Sequence, residues 1–251
     1  MTDEQFIATA GGGILYDASR LSKPDEKLFS RSYWASLSAL EEIAGGRSSI
    51  AVLNVSAAAD VLTGSSSAAA PWVLRHYRRG GLIAKLSQDS YLWGGASRTR
   101  SFAEWRLLAE LRRRGLPVPA PIAARYVRGL VTYRADLITE LLPGTRTLTD
   151  SITGHDLSES AWRAVGKTIG AFHREGVHHA DLNANNILLA GHGVEVYVLD
   201  FDRGRIEARG VWEQAVLARL RRSLEKIKSQ RADVRFGEQQ WQWLMGGARA
   251  C

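Results

Sequence analysis

Asp181, Asn186 and Asp200 carry the clearest chemistry in this 251-residue sequence. The first two lie in the run His179-Ala180-Asp181-Leu182-Asn183-Ala184-Asn185-Asn186-Ile187-Leu188-Leu189. The third follows 14 residues after Asn186, in Val198-Leu199-Asp200-Phe201-Asp202. An Asp on a loop, an Asn a short way on, and a second Asp beyond a hairpin form the set that phosphoryl transfer to a hydroxyl requires. The first Asp accepts or orients the hydroxyl proton. The Asn and the second Asp hold Mg2+ where it bridges the phosphates of the donor. Metal and basic groups offset the triphosphate charge, which a neutral pocket does not stabilise. Turns rich in Asn and Asp also arise for conformational reasons alone. Such turns ask for neither the His nor the strand spacing.

These residues need a loop held between strands, and the surrounding sequence supplies one. Ile187-Leu188-Leu189 reads as a short strand, 191–193 as a Gly-bracketed turn, and 194–199 as a second strand. Upstream, Trp162, Val165, Ile169 and Phe172 recur at helical spacing, with a capping-box-like start at Asp156 and Glu159 and Gly176 past the end. Downstream, Leu217, Leu220, Leu224 and Ile227 share one face of a helix within a mostly helical 210–251. The first half reads differently. Residues 1–30 show little periodicity and are expected to be loosely held, and 31–43 are loosely helical. Gly45 and Gly46 make a turn before the strand Ile50–Leu53, and 55–70 read as a long hairpin loop. Trp72–Tyr77 is strand-like. Residues 101–114 form a helix whose Glu104 borders the apolar stripe of Phe102, Trp105, Leu108 and Leu111, ended by Gly115 and Pro117. Two further β-rich runs lie near 121–128 and 130–141. The break at Leu141-Leu142-Pro143-Gly144 marks a boundary between 1–141 and 142–251. The fold class is α+β: a small antiparallel β lobe with one helix, and a larger helical lobe.

Charge is unevenly placed. The chain carries a net +7. Between Arg75 and Arg114 stand ten arginines and lysines against three carboxylates, so this segment holds the whole excess. A local basic field suits an anionic partner or surface, although a solvated arginine face has the same composition. A single cysteine, Cys251, excludes an intrachain disulfide framework or a multi-Cys metal site. No apolar run approaches the roughly 20 residues of a spanning helix. The opening MTDEQF lacks the apolar core of a secretory signal.

The catalytic run resembles the protein-kinase-like superfamily. Within it, the sequence is most similar to the lipopolysaccharide-core kinases that act on 3-deoxy-D-manno-octulosonic acid (Kdo). The similarity extends over roughly 14–246 in the expected order. It is carried by Ile14–Asp17, Ala44–Arg47, Trp72–Gly81, Glu104–Leu108, Gly115–Pro119, Asp200–Arg205 and Leu217–Leu224. The resemblance implies a two-lobed fold and transfer from ATP, with Mg2+, to the 4-hydroxyl of Kdo on a lipid A precursor. It implies a peripheral protein on the cytoplasmic face of the bacterial inner membrane, bound to an anionic surface, with no nucleic-acid partner. Asp181 takes the catalytic position, Asn186 and Asp200 the metal positions, Glu104 that of the glutamate on the small-lobe helix, and Gly45 and Gly46 the phosphate-covering turn.

The sequence departs from the wider superfamily in three places. Arg75 stands where a strand lysine is usual, and Lys85 is the alternative cation. Asp202 replaces the glycine that normally follows Asp-Phe, with Gly204 the candidate for backbone freedom. The 55–70 loop is long. His179 fits a role supporting the loop backbone. Trp93, among glycines and basic residues, is the candidate for lipid contact, with Arg78, Arg79, Lys85, Arg98 and Arg100 flanking Tyr91-Leu92-Trp93. Two alternatives stay open on sequence grounds. An antibiotic phosphotransferase shares the loop but calls for an acidic acceptor cleft, which the Arg75–Arg114 charge opposes. A non-catalytic module using the basic face leaves Asp181, Asn186 and Asp200 unexplained.

Overall fold

A computed structural model describes residues 2–43, 50–58, 70–78 and 89–250. The chain divides into two compact units. The first comprises Met1–Glu110 and Ala120–Leu141, the second Leu111–Pro119 and Leu142–Cys251.

The first unit is built on an antiparallel sheet. Its strands are β1 (Glu4–Thr9), β2 (Gly12–Asp17), β3 (Leu40–Ile43), β4 (Ile50–Leu53), β5 (Trp72–His76), β6 (Tyr91–Leu92), β7 (Pro121–Arg128) and β8 (Thr132–Glu140). Their order is β1-β2-β7-β8-β5-β4-β3, and β6 also pairs with β8. The hairpin β1–β2 corrects the expectation of a loosely held N-terminal segment. Glycines hide it in the sequence. A Cβ on Gly12 would lie 2.0 Å from the Tyr126 carbonyl oxygen, and one on Gly13 would lie 2.5 Å from the Phe6 ring. Only glycine lets β2 approach β7 this closely. The region 31–43 also differs from the expected helix. It splits into a short α1 (Arg31–Ser36), capped by the Ser30 side chain, and strand β3. Trp34 fills the core beneath the sheet, fully buried, and its indole N–H donates to the Leu28 carbonyl at 2.8 Å.

Helix α2 (Arg100–Arg113) buries Phe102, Trp105, Leu108 and Leu111, as its periodicity requires. Gly115, with φ +74, ends it, and the Leu116 N–H returns to the Leu111 carbonyl at 3.0 Å. The following segment belongs with the second unit: Pro117 accepts from the Val198 N–H at 3.1 Å, and Arg114 pairs with Glu175 at 3.1 Å.

In the second unit, β9 (Arg146–Thr147), β11 (Ile187–Ala190) and β12 (Glu195–Val198) form a three-stranded sheet in the order β12-β11-β9. A second pair joins β10 (Val177–His178) to β13 (Arg205–Ile206). The helices are α3 (Leu148–Ser151), α4 (Glu159–Arg174), α5 (Trp212–Gln230) and α6 (Glu238–Arg249). The cap of α4 is Ser158, which accepts from the Ala161 N–H at 3.2 Å, rather than Asp156. Helices α4 and α6 pack at backbone contact. A Cβ on Gly166 would lie 1.9 Å from the Leu244 carbonyl oxygen, and one on Gly247 would lie 2.1 Å from that of Arg163. The buried stripe of α5 is Val216, Leu220 and Leu224; Leu217 and Ile227 lie at its margins, half-buried.

Candidate active site

The loop after β10 is organised around His179, which is buried. Its Nε2–H donates to the Leu199 carbonyl at 2.8 Å, while Nδ1 accepts from the Asp181 N–H at 3.1 Å. One donor and one acceptor make the ring neutral. Burial pushes its pKa below the ordinary value, more than the Leu199 hydrogen bond raises it. The ring therefore ties Asp181 to the strand end that leads into Asp200. Phe201, almost fully buried, lies 4.7 Å from the His179 ring and stacks on Phe172 of α4 at 5.6 Å.

The loop's asparagines complete the tie. Asn183 and Asn186 both donate through Nδ2 to the Asp181 carbonyl, at 2.9 and 3.1 Å. The Asn183 Oδ1 accepts from the Asn185 N–H at 3.0 Å, and the Leu199 N–H donates to the Asn186 carbonyl at 2.8 Å. Engagement of its Nδ2 orients the Asn186 amide, and its Oδ1 accepts no hydrogen bond among the described residues. Asp200 has φ +61, a left-handed conformation uncommon outside glycine and tolerated by Asp. The freedom expected of Gly204 falls on Arg203 instead, with φ +58. An amide oxygen and a carboxylate are hard donors that suit Mg2+ completed by phosphates and water. No group of three or more His, Cys, Asp or Glu residues that could hold a metal ion occurs among the described residues.

Two contacts in this unit were not singled out by the sequence. Arg219 of α5 donates through Nη1 to Asp181 Oδ1 at 2.7 Å, and one turn on, Ser223 accepts from the Ala184 N–H at 3.3 Å. His178 has a structural position: it pairs with Glu207 at 2.6 Å and stacks on Trp212 at 5.1 Å.

In the first unit, Arg75 of β5 donates to Glu104 of α2. Glu104 is 3% exposed. The Tyr77 hydroxyl donates to the same carboxylate oxygen at 2.5 Å, and the guanidinium lies 4.7 Å from the Tyr77 ring centre. Burial, and then the Glu104 charge, push the Tyr77 pKa well above its ordinary value, so its proton stays available to Glu104. Tyr77 was legible only as a strand residue. On the other side of the strand, His76 meets Asp136 at 2.7 Å, and Arg125 grips the same carboxylate at 2.7 and 2.9 Å. Gly45, Gly46, Arg79 and Lys85 lie outside the described residues, as does most of the 55–70 loop; Val55–Ala58 forms a 3-10 turn.

Trp93, the sequence's candidate for lipid contact, is half-buried. It packs on Tyr126 at 5.1 Å and under the Arg128 guanidinium at 4.9 Å. Arg100 is likewise stacked, 4.7 Å from the Tyr91 ring centre. Exposure falls instead on Leu92, Leu130 and Val131, at 76%, 95% and 71%. They cluster because Leu92 pairs with Thr132 and the Trp93 N–H donates to the Val131 carbonyl at 3.0 Å.

The model of the lipopolysaccharide kinase (Kdo/WaaP) family matches residues 56–247. A 3-deoxy-D-manno-octulosonic acid kinase of Stenotrophomonas maltophilia (strain R551-3) is 45% identical over 225 residues, covering 88% of this chain and 83% of the relative. The enzyme of that name from Xylella fastidiosa (strain 9a5c) is 44% identical over 223 residues, with the same two coverages. That from Xanthomonas campestris pv. campestris (strain B100) is 45% identical over 227 residues, again covering 88% and 83%.

Proposed function

The chain belongs to the lipopolysaccharide kinase (Kdo/WaaP) family, and from that premise we propose that it phosphorylates a Kdo hydroxyl, the 4-OH, on a lipid A precursor. As a member of a kinase family it takes the phosphoryl group from ATP. Asp181 orients the acceptor hydroxyl and receives its proton as the oxygen bonds to the γ-phosphorus and the bond to the β-phosphate oxygen breaks. Products are the phosphorylated sugar and ADP. Asn186 and Asp200 hold Mg2+, which supplies charge neutralisation at the phosphates. Arg75, oriented by Glu104 and Tyr77, offers the nucleotide phosphates a permanent, forked cation in place of lysine.

The observation that carries this reading is the His179 bridge from the Asp181 N–H to the Leu199 carbonyl, beside Asn186 turned by its bond to Asp181. That arrangement supports a base at Asp181 with metal donors at Asn186 and Asp200. A lipid-borne acceptor also places the reaction at a membrane, and we assign the protein to the cytoplasmic face of the inner membrane. The apolar tip of Leu92, Leu130 and Val131 supports this, because 90–103 and 126–134 contain arginines and no carboxylate.

The test is phosphoryl transfer from labelled ATP to Kdo–lipid acceptors, with aminoglycosides and protein alongside. Transfer to the Kdo acceptor, lost in Asp181→Ala, and metal-dependent ATP binding, lost in Asp200→Ala, are the expected results. Transfer to an aminoglycoside alone overturns the assignment of acceptor, and full turnover by Asp181→Ala overturns the assignment of base.

A further inference from the structure

Arg219 stands beside the carboxylate that is to meet the acceptor, and its placement exceeds what the fold needs. Only Nη1 is engaged, on Asp181 Oδ1 at 2.7 Å, and that is the one hydrogen bond recorded for the side chain among the described residues. The Arg219 and Asp181 side chains are 48% and 55% exposed. An ion pair this open adds little to stability. It is nevertheless held in register, because Ser223, one turn along the same helix, receives the Ala184 N–H from the Asp181 loop at 3.3 Å. A guanidinium has five N–H donors in a planar fork that matches a carboxylate bidentately. With one donor on Asp181, the rest of the fork is open to solvent next to the place where the acceptor hydroxyl arrives.

We propose that Arg219 binds the carboxylate of the acceptor sugar acid, so that Arg219 and Asp181 form two arms of one acceptor subsite. This rests on the proposed function and deepens it. The acceptor named for the relatives is an octulosonic acid, which carries its carboxylate on the same sugar ring as the hydroxyl to be phosphorylated. A neutral sugar of the same shape would leave the open edge of Arg219 desolvated and unmatched, which disfavours it. The acceptor carboxylate also draws the guanidinium from Asp181 Oδ1, leaving that oxygen for the hydroxyl proton.

The experiment compares a soluble Kdo glycoside with its methyl ester in wild type, Arg219→Gln and Arg219→Lys, at saturating ATP. Removing a charge-assisted bidentate contact is worth about 100-fold. Wild type should therefore favour the acid over the ester by about 100-fold in kcat/KM, chiefly through KM. In Arg219→Gln the ratio should collapse to within about threefold of one, and Arg219→Lys should restore part of it. The KM for ATP should not follow these changes. If Arg219→Gln lowers acid and ester by the same factor, Arg219 acts only through Asp181 and the inference is overturned. A wild-type protein that phosphorylates neither compound, nor any lipid-borne Kdo, overturns the proposed function and this inference with it.

Discussion

Replacing Arg75 by Met separates what the Arg75–Glu104 pair does for the fold from what it does for the nucleotide. The Glu104 side chain is 2% exposed and that of Arg75 is 32%. Removing one member of a buried ion pair costs about 3–5 kcal/mol, because the surviving charge remains in a low dielectric. Two features reduce the cost here. The Tyr77 hydroxyl still donates to Glu104 at 2.5 Å, and Arg75 is partly screened by solvent. A loss of about 2–3 kcal/mol remains. At roughly 2–4 °C per kcal/mol for a chain of this size, Arg75→Met should melt about 4–12 °C below wild type. The double variant Arg75→Met/Glu104→Met removes the buried carboxylate together with its Arg75 contact, so it should recover much of that loss. Its KM for ATP should not recover, staying at least about 10-fold above wild type, since one phosphate cation is gone. Thermal melts with and without ATP, and steady-state kinetics on the same three proteins, measure both quantities. A double variant that melts no higher than Arg75→Met would refute the buried-charge argument. An unchanged ATP KM in either variant would remove Arg75 from the nucleotide site.

Other predictions follow from the second unit and the exposed tip. His179 has its pKa lowered by burial, so below about 6.5 the unfolded chain binds a proton that the folded one does not. That contribution to stability is complete above about pH 6.5 and is lost as pH falls from there through the folded value. Protonation also removes the Nδ1 lone pair that accepts from the Asp181 N–H, so kcat should fall in the same acid window; a kcat that is flat from about pH 5 to about pH 8 would contradict this. Gly247→Ala places a methyl 2.1 Å from the Arg163 carbonyl oxygen and should destabilise by about 1–3 kcal/mol, read as a lower urea midpoint. Leu130→Ser with Val131→Ser should reduce co-sedimentation with anionic vesicles and raise KM for a lipid-borne acceptor, while KM for a soluble Kdo glycoside stays within about twofold of wild type. Equal effects on both acceptors would remove the tip from membrane docking.

The arrangement of the Asp181 loop was legible because its parts are local in sequence. His179, Asp181, Asn186 and the following strands sit within a short stretch whose spacing is fixed by the hairpin they flank. Glu104 was legible for a similar reason: it lies one position before Trp105 on a strongly patterned helix. Partners contributed by distant segments were not legible. Tyr77 reads as an ordinary strand residue until β5 and α2 bring its hydroxyl to Glu104. Arg219 is one of several arginines on an amphipathic helix, and nothing local marks the one that reaches Asp181. The β1–β2 hairpin was missed because Gly11, Gly12 and Gly13 suppress the side-chain alternation by which strands are read, and close approach to Tyr126 is a property of the assembled sheet. Exposure was not legible either. Trp93 is half-buried against Tyr126 and Arg128 of β7, whose register is set by pairing with β8, and the tip inherits its apolar character from Leu130 and Val131.

The glycine contacts between α4 and α6 also bear on the order of events as the chain leaves the ribosome. The residues of the first unit have all emerged by Leu141. Helix α4 follows soon after, but its backbone seat for Gly166 is the Leu244 carbonyl, far later in synthesis. Until α6 arrives, α4 lacks its backbone seat at Gly166 and at Gly170, where a Cβ would lie 2.7 Å from the Ala248 carbonyl oxygen, while Phe172 of the same helix carries the stack on Phe201 at 5.6 Å. A translating ribosome thus completes the sequence of the sheet first and the support of the Asp181 loop last. A nascent chain halted before Glu238 would carry His179, Asp181, Asn186 and Asp200 and lack the helix against which α4 packs, so pausing late in translation delays completion of this unit more than pausing early.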